Sequence, residues 1–285
     1  MEDIQKLTLT GGPCGGKTLS SPFALEAAKE EGFTTFFSEE TATELIKAGL
    51  IPGVTAPLEN FQEEIFDRQN EKEERLLKYA RKVESDRVAL VCDRGLGDGL
   101  VYQSDEGVNR LLEKKGYTKE QVVNRNKNII HFITIAKDKP ELFDVEGRLE
   151  AVAEACRLDD ALLKFYSGKL NKIILYNTGG LEEKQRDTKI ATKALLRTGM
   201  KRIIIRREAF GALDKLEIIP TTSEDEQSRF LVKEGRNVYT LGIYNDGSFM
   251  RTLDIMNGTP IPKWVLEYEE IPIPRPKKLV MTTNR

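Results

Sequence analysis

The chain has 285 residues, of which 39% are apolar and 32% are charged, so it is long enough to bury a sizeable core and exceeds one minimal domain. Its 44 basic and 46 acidic residues leave a net charge of -2, which neither supports nor excludes a nucleic-acid partner, because a basic groove can be hidden in a neutral total. Three separated cysteines and one histidine favour a reduced, cytoplasmic protein without a zinc site. We also expect no signal peptide, because Met1 is followed by Glu2 and Asp3 and not by a basic segment with an apolar run, and no membrane span, because no apolar stretch approaches roughly 18 residues.

Short apolar runs alternate with segments of helical periodicity up to about residue 198. This alternation predicts an α/β fold with three layers, in which helices cover both faces of a parallel sheet. Ligands of such sheets bind at the carboxyl ends of the strands, so we expect the turns after Gly11, Ser38 and Asp93 to face one cleft. The predicted strands are 4–10, 33–37, 88–92, 128–134 and 172–176, and the predicted helices are 17–30, 40–48, 59–82, 118–125, 145–167 and 181–197.

After Met200 the pattern changes to short strand-like runs separated by turn signals such as NDGS and NGTP. We therefore predict two domains, an α/β domain at 1–198 and a small β-rich unit with an extended tail at 199–285. Residues from about 200 to 270 are expected to form an antiparallel sheet, with Trp264 in its core. An alternative assigns the first of these strands to the main sheet.

The first predicted strand leads into Gly11-x4-Gly16-Lys17-Thr18, a complete Walker A loop between a strand and a helix. Its glycines let backbone N–H groups turn inward around phosphates, and the helix N-terminus adds a positive dipole. We expect Lys17 to reach the β- and γ-phosphates and the Thr18 hydroxyl to ligate magnesium. The residues predicted to bind the nucleotide are Gly11, Gly12, Pro13, Cys14, Gly15, Gly16, Lys17 and Thr18.

Acidic residues follow the next two predicted strands. Asp93 ends the strand at 88–92 in the manner of a Walker B aspartate, which holds magnesium through water or takes a proton from an acceptor; a helix cap is the alternative. Arg94 is expected to contact an acceptor or a phosphate, with a surface salt bridge as the alternative. Glu40 is predicted to activate an acceptor hydroxyl, although Glu39 or Ser38 could instead cap the following helix.

The long helix predicted at 59–82 carries an apolar face that is interrupted by Gln69 and Glu73. A buried face broken by polar groups either opens onto a cavity or is exposed at those positions. We predict the first of these, so that Gln69 and Glu73 line the pocket of an acceptor substrate.

Arginines in the helix at 145–167 are candidates for a lid. Phosphoryl transfer develops charge on the equatorial oxygens, and mobile arginines such as Arg148 and Arg157 can meet that charge, although charged helical residues are more often solvated. His131 lies in an apolar strand and is predicted to be a core histidine. Cys14 is predicted to be a small packing residue.

Six segments occur in the order seen in an AAA-like branch of the P-loop kinases, which includes the ribosylnicotinamide kinase domain and a eukaryotic GTP-binding trafficking protein. Over about residues 5–197 the chain resembles this branch. The most specific evidence is the combination of LTGGPCGGKT and CDRGLGDGLVY. The six are LTGGPCGGKT, EETATELIKAG, FQEEIFDRQNEKE, CDRGLGDGLVY, IIHFITIA and GRLEAVAEACRLDDALLKFYSG.

The resemblance implies a nucleoside- or nucleotide-kinase-like core with Lys17 and Thr18 at the phosphates and magnesium, and Asp93 as the Walker B-type acid. It further implies that Glu40 and Arg94 lie near the acceptor and that Arg148 is the lid arginine. One departure is Glu39, which stands where the family usually has a proline before the glutamate. The small β unit is not part of the resemblance, so the acceptor does not transfer from the family.

The leading hypothesis is therefore a magnesium-dependent kinase that moves the γ-phosphate of ATP or GTP to a hydroxyl of a nucleoside-like small molecule. One alternative is a kinase acting on DNA, at a modified base or a polynucleotide end, with the basic residues of the β unit holding the strand. Another is a nucleotide-binding switch with little turnover. The sequence leaves the oligomeric state open, with a homodimer among the alternatives.

Overall fold

The computed structural model describes residues 3–126, 128–143, 151–167, 172–177 and 180–196, and the backbone of six strands beyond them. The first sheet has five parallel strands. These are β1 (Asp3–Thr10), β2 (Thr34–Ser38), β3 (Arg87–Asp93), β4 (Asn128–Phe132) and β5 (Lys172–Leu175). They are arranged in the order β2-β3-β1-β4-β5, which confirms the predicted parallel α/β fold.

Helices connect these strands and cover both faces of the sheet. The bounds of the predicted helices agree with the structure to within a few residues, but the helix between Ser104 and Gly116 and the short helix Ile135–Asp138 are not predicted from the sequence. Of the helix predicted at 145–167, residues 151–167 are described and 145–150 lie outside the described residues. The helices are α1 (Lys17–Glu30), α2 (Thr41–Lys47), α3 (Leu58–Ala80), α4 (Asp105–Lys115), α5 (Lys119–Asn124), α6 (Ile135–Asp138), α7 (Val152–Phe165) and α8 (Gly180–Leu196), with 3-10 turns at Asp98–Tyr102 and Pro140–Leu142.

Side chains of β1 alternate between two different kinds of core. Leu7 and Leu9 are fully buried in an apolar cluster that includes Ala24 of α1 and Ala191 of α8. Since neighbouring side chains of a strand point to opposite faces, the residues that alternate with these leucines (Lys6, Thr8 and Thr10) face the layer that contains α3 and α7. That second face of β1 is polar.

Each polar side chain on the second face of β1 has a buried partner. Lys6 Nζ lies 2.7 Å from Glu73 Oε2 of α3, and Thr8 Oγ1 donates to Asn126 Oδ1 at 2.9 Å. Thr10 Oγ1 donates to Asp98 Oδ2 at 2.6 Å. Because buried polar groups are costly only when they lack partners, this row fixes β1 against the helical layer without a large penalty.

A second sheet is antiparallel, as predicted, with strands in the order β11-β6-β10-β9-β8-β7. Its first strand pairs with β10 and β11, so it belongs to this sheet and not to the parallel one. Trp264 lies outside the described residues, and the domain boundary near residue 198 stays a prediction. The strands are β6 (Met200–Ile205), β7 (Glu217–Ile218), β8 (Gln227–Glu234), β9 (Asn237–Tyr244), β10 (Arg251–Met256) and β11 (Tyr268–Ile271).

The buried ion pair between β1 and α3 gives a test of this packing. Glu73→Ala should lower the free energy of unfolding by about 3–5 kcal/mol, because it leaves the Lys6 ammonium buried without its partner. Chemical denaturation measures this loss. Glu74→Ala is the matched control, since Glu74 is exposed and should cost less than about 1 kcal/mol. The double variant Lys6→Met with Glu73→Leu should recover most of the loss; a double variant as unstable as Glu73→Ala would contradict a pairing role.

Candidate functional site

The loop that follows β1 is shaped by glycines and lies against the end of β4. Gly11 and Gly16 have φ angles of 131° and 84°, which L side chains rarely adopt. A Cβ atom at Gly11 would lie 2.1 Å from the carbonyl oxygen of Phe132, and one at Gly15 would lie 2.7 Å from it. Only glycine therefore fits where this P-loop (residues 11–18) approaches β4, and Gly16 leads directly into α1.

Lys17 is folded back over the P-loop. Its Nζ donates to the carbonyl oxygens of Gly11 and Gly12, both at 2.8 Å, and the side chain is almost fully buried. Burial and the nearby Arg94 guanidinium lower the pKa of Lys17 to about 8. At neutral pH most of the molecules carry the ammonium, which is thus held at the centre of the loop where phosphate oxygens could replace the two carbonyls.

Thr18 and Asp93 meet because β3 lies directly beside β1, with Leu9 opposite Asp93. Thr18 Oγ1 donates to Asp93 Oδ2 at 3.2 Å. Asp93 is buried, and among the described residues its Oδ1 has no hydrogen-bond partner. A hydroxyl and a carboxylate supply the oxygen ligands that magnesium prefers, and the unpartnered oxygen can accept one more contact. The residues present therefore fit a magnesium ion.

Arg94 and Glu40 form an ion pair beside the P-loop. Arg94 has a φ of 76°, rare for a residue with a side chain, and its Nε donates to Glu40 Oε1 at 2.5 Å. Burial alone would raise the pKa of Glu40, but Arg94 outweighs it and lowers the value to about 2. The other oxygen of Glu40 accepts from Thr43 Oγ1 at 2.8 Å. Glu40 is thus ionised and fully engaged, which suits it to orient Arg94 more than to accept a proton.

A cavity of about 850 Å³, here called the main cavity, runs from the P-loop to one face of α3. Gln69 is fixed in its wall, since its Oε1 accepts from Thr41 Oγ1 at 2.7 Å and its Nε2 donates to the carbonyl oxygen of Arg94 at 3.2 Å. Gln62 is only 4% exposed, and its Oε1 has no partner among the described residues. From α3 the lining comprises Leu58, Phe61, Gln62, Ile65 and Gln69.

Most of the predicted site residues come together around this cavity. Its lining includes Pro13, Cys14, Gly15, Gly16, Lys17, Thr18, Glu40, Gln69 and Arg94. Asp93 reaches the site through Thr18, but Glu73 does not line the cavity, because it points to β1 and pairs with Lys6. Arg148 lies outside the described residues. Arg157 is exposed and pairs with Glu154 of the same helix.

Two buried aspartates of the site had not been predicted. Asp98, which accepts from Thr10 and also from the Tyr166 hydroxyl at 2.7 Å, lines the main cavity. In the sequence, only the closely spaced Asp-Arg-Gly and Asp-Gly motifs of segment 92–102 pointed to Asp98. Asp159 accepts from the N–H of Gly12 at 2.7 Å, although the two residues are 147 positions apart. A contact at such a separation leaves no local pattern in the sequence.

Asp159 lies in a small buried network. Its Oδ1 lies 3.0 Å from His131 Nε2, and its Oδ2 lies 2.7 Å from Lys137 Nζ. Burial would raise the pKa of Asp159, but the hydrogen bond from His131 and the ion pair with Lys137 hold it below its ordinary value. Asp159 is therefore ionised at neutral pH, and His131 is a core residue, as predicted, with a partner.

Comparison with known proteins identifies one family. A family model described as an AAA domain matches residues 6–184, a range that contains the P-loop, Asp93, α3 and α7. No curated protein matches the chain. Within the described ranges, no helix combines the length and the apolar character that a membrane crossing requires.

The charge of Asp159 predicts a pH-dependent contribution to stability. Because its pKa is lower in the folded than in the unfolded protein, the contribution is present at neutral pH and is lost as the pH falls below about 3.8. Asp159→Asn should lower the free energy of unfolding by about 1.5–3 kcal/mol at pH 7, and the difference from the unaltered protein should stay constant down to about pH 4 and narrow as the pH falls further.

Denaturant titrations at several pH values measure this difference. Asp160→Asn is the matched control, since Asp160 pairs with the same lysine but is 69% exposed, and it should cost less than about 0.5 kcal/mol. A difference for Asp159→Asn that is independent of pH would contradict the assignment of the charge.

Proposed function

Because the chain belongs to the AAA domain family, a family of P-loop nucleotide-binding proteins, we propose that it is a magnesium-dependent kinase. In this proposal it transfers the γ-phosphate of ATP or GTP to a hydroxyl group of a nucleoside-like small molecule. The observation that carries the proposal is the continuity of the main cavity, which joins the P-loop to a second wall formed by α3. A nucleotide phosphate in the P-loop would leave the α3 side of the cavity for a second substrate.

The donor side of the site is built from P-loop residues and β3. Lys17 would exchange its two carbonyl partners for oxygens of the β- and γ-phosphates. Thr18 and Asp93 would hold magnesium, which when bound neutralises charge on the phosphate oxygens. The helix dipole of α1 adds to the positive field at the same place.

Arg94 lies between the donor and acceptor sides. Its guanidinium is fixed by Glu40, and its Nη1 lies 3.5 Å from the carbonyl oxygen of Gly11. A positive charge held in advance at this place can stabilise the negative charge that develops on the transferred group.

In the proposed reaction, the acceptor hydroxyl oxygen forms a bond to the γ-phosphorus, and the bond from that phosphorus to the bridging oxygen breaks. The products are the phosphorylated acceptor and a nucleoside diphosphate, and the hydroxyl proton passes to water.

The α3 wall favours an uncharged acceptor with a flat ring. Phe61 and Ile65 supply apolar side chains to the lining, and Gln62 carries a buried amide oxygen that lacks a hydrogen-bond partner within the described residues. A buried hydrogen-bond acceptor such as this amide oxygen is stabilised by an N–H group of the ligand. It therefore disfavours ligands that lack an N–H group at this place. Nucleobases combine an apolar face with N–H donors at the ring edge, which is why we propose a nucleoside-like acceptor.

Transfer of label from γ-³²P-ATP or γ-³²P-GTP tests the proposal. The panel of acceptors consists of nucleosides, nicotinamide riboside, and single- and double-stranded DNA. We expect magnesium-dependent transfer to a nucleoside with weak dependence on salt. Lys17→Ala should lower kcat/KM by about 10²–10³-fold, because it removes a charge on the transferred phosphoryl group. Lys29→Ala, an exposed position at the other end of α1, is the matched control and should be neutral.

Other outcomes of this experiment would point to other functions. Transfer to DNA alone, with affinity falling steeply as salt rises, would overturn the small-molecule acceptor. Tight nucleotide binding without any acceptor that speeds turnover would favour a switch. Asp93→Asn should lower turnover more than nucleotide affinity; equal losses of both would make Asp93 a structural residue.

Gln62 gives a separate prediction about the acceptor. Gln62→Met keeps the length of the side chain but removes the amide oxygen, so the KM for the nucleoside should rise about tenfold while the KM for the nucleotide stays unchanged. The control is a nucleoside methylated at the donating ring nitrogen. The unaltered protein should discriminate against it, and Gln62→Met should accept both compounds equally. Retained discrimination in the variant would place the ring elsewhere.

A further inference from the structure

A single peptide unit of the P-loop is held from both sides. The carbonyl oxygen of Gly11 and the N–H of Gly12 belong to this unit. The oxygen accepts from Lys17 Nζ at 2.8 Å, and the N–H donates to Asp159 Oδ1 at 2.7 Å. Gly11 has a φ of 131°, a conformation that its neighbours must maintain.

Helix α7 lies directly against this part of the loop. A Cβ atom at Gly12 would lie 2.8 Å from the Cβ of Asp159 and 3.1 Å from the Cβ of Thr134, so the loop has no space to move toward the helix. One residue further along, Thr134 Oγ1 donates to the carbonyl oxygen of Pro13. Thr134, just after β4, and Asp159 of α7 thus hold two successive residues of the loop, Gly12 and Pro13.

The charge of Asp159 needs compensation at this position. An unpaired carboxylate beside the P-loop would repel the phosphates of a nucleotide, but Lys137 lies 2.7 Å from it. Burial lowers the pKa of His131, so its ring is neutral and its Nε2 carries the proton that it donates to the carboxylate. The carboxylate is thus neutralised on one side and remains a strong acceptor for the Gly12 N–H.

We infer that Asp159 is a positioning residue for nucleotide binding, which acts on the P-loop through the N–H of Gly12. The inference rests on the nucleotide binding in the proposed function and is independent of the acceptor. Phosphate oxygens that take the ammonium of Lys17 release the Gly11 carbonyl, and the hydrogen bond to Asp159 then keeps the peptide unit in place. Loss of Asp159 is therefore expected to lower the affinity for nucleotide.

The test measures the Kd of fluorescent mant-ATP and mant-GTP with magnesium for a set of folded variants. Asp159→Ala should raise the Kd about 10–100-fold, because hydrogen bonds to charged groups have large effects. Asp159→Asn keeps an oxygen for the Gly12 N–H and should remain within about threefold to fivefold of the unaltered protein. Asp160→Ala, which loses only a contact to the same Lys137 at 2.6 Å, should be neutral.

Amide hydrogen exchange of Gly12, followed by NMR without nucleotide, is the second measurement. It should speed up at least tenfold in Asp159→Ala and change little in Asp159→Asn. If Asp159→Ala fails to fold, Asp159→Asn still decides. A tenfold loss of affinity in Asp159→Asn with unchanged Gly12 exchange would show that the charge of Asp159, and not its hydrogen bond to Gly12, matters.

Two further results would overturn the inference. Asp159→Ala with unaltered Kd but lower stability would leave the residue a purely structural role. Unchanged exchange at Gly12 in Asp159→Ala would show that the hydrogen bond does not hold the loop. If the unaltered protein binds neither nucleotide, the proposed function fails, and the exchange measurement alone then decides whether Asp159 positions the loop.

Discussion

Strand β1 pairs in parallel with β3 on one side and β4 on the other, so that Leu9 lies beside Asp93 and Thr10 lies beside His131. The rest of the site follows from this register. It places Asp93 within reach of Thr18, and it places His131 beneath the P-loop, where Asp159 can bond to both. A shift by one residue would turn each of these side chains to the opposite face of the sheet. The polar row on the second face of β1, which only its present partners satisfy, opposes such a shift.

The site concentrates buried charges, and its stability depends on their pairing. Lys17 and Arg94 are buried among Glu40, Asp93 and Asp98, so that each charge lies near one of opposite sign. Buried charges without partners would be costly, whereas this arrangement supplies cations and carboxylates that are already oriented. Arg94 also has a left-handed backbone conformation, which is held by its ion pair and by the hydrogen bond that its N–H donates to the carbonyl oxygen of Leu9 at 2.9 Å. Such strain persists only where the surroundings enforce it.

The P-loop side of the site could be located from the sequence because its signals are local. Five strands and the P-loop were visible from apolar runs and glycine spacing, and Asp93 was visible from its place at the end of a strand. The helix after Ser104 was missed although its signals were present: a serine cap, acids in the first turn, lysines in the last turn and a final glycine. Asp159 could not have been found in this way, because its contact with Gly12 joins distant parts of the chain.

Helix α3 shows why a helical pattern alone cannot assign roles. Gln69 and Glu73 are four residues apart on one face of α3, and both interrupt its apolar stripe. In the structure the first lies in the wall of the main cavity, while the second reaches β1 and pairs with Lys6. The helix passes from the cavity to the sheet within one turn, so equivalent positions in the pattern meet different surroundings. Gln62, two turns before Gln69, lies on the same face of α3 and also lines the main cavity. The part of α3 up to Gln69 therefore lines the main cavity, and the part after it anchors the strand that leads into the P-loop.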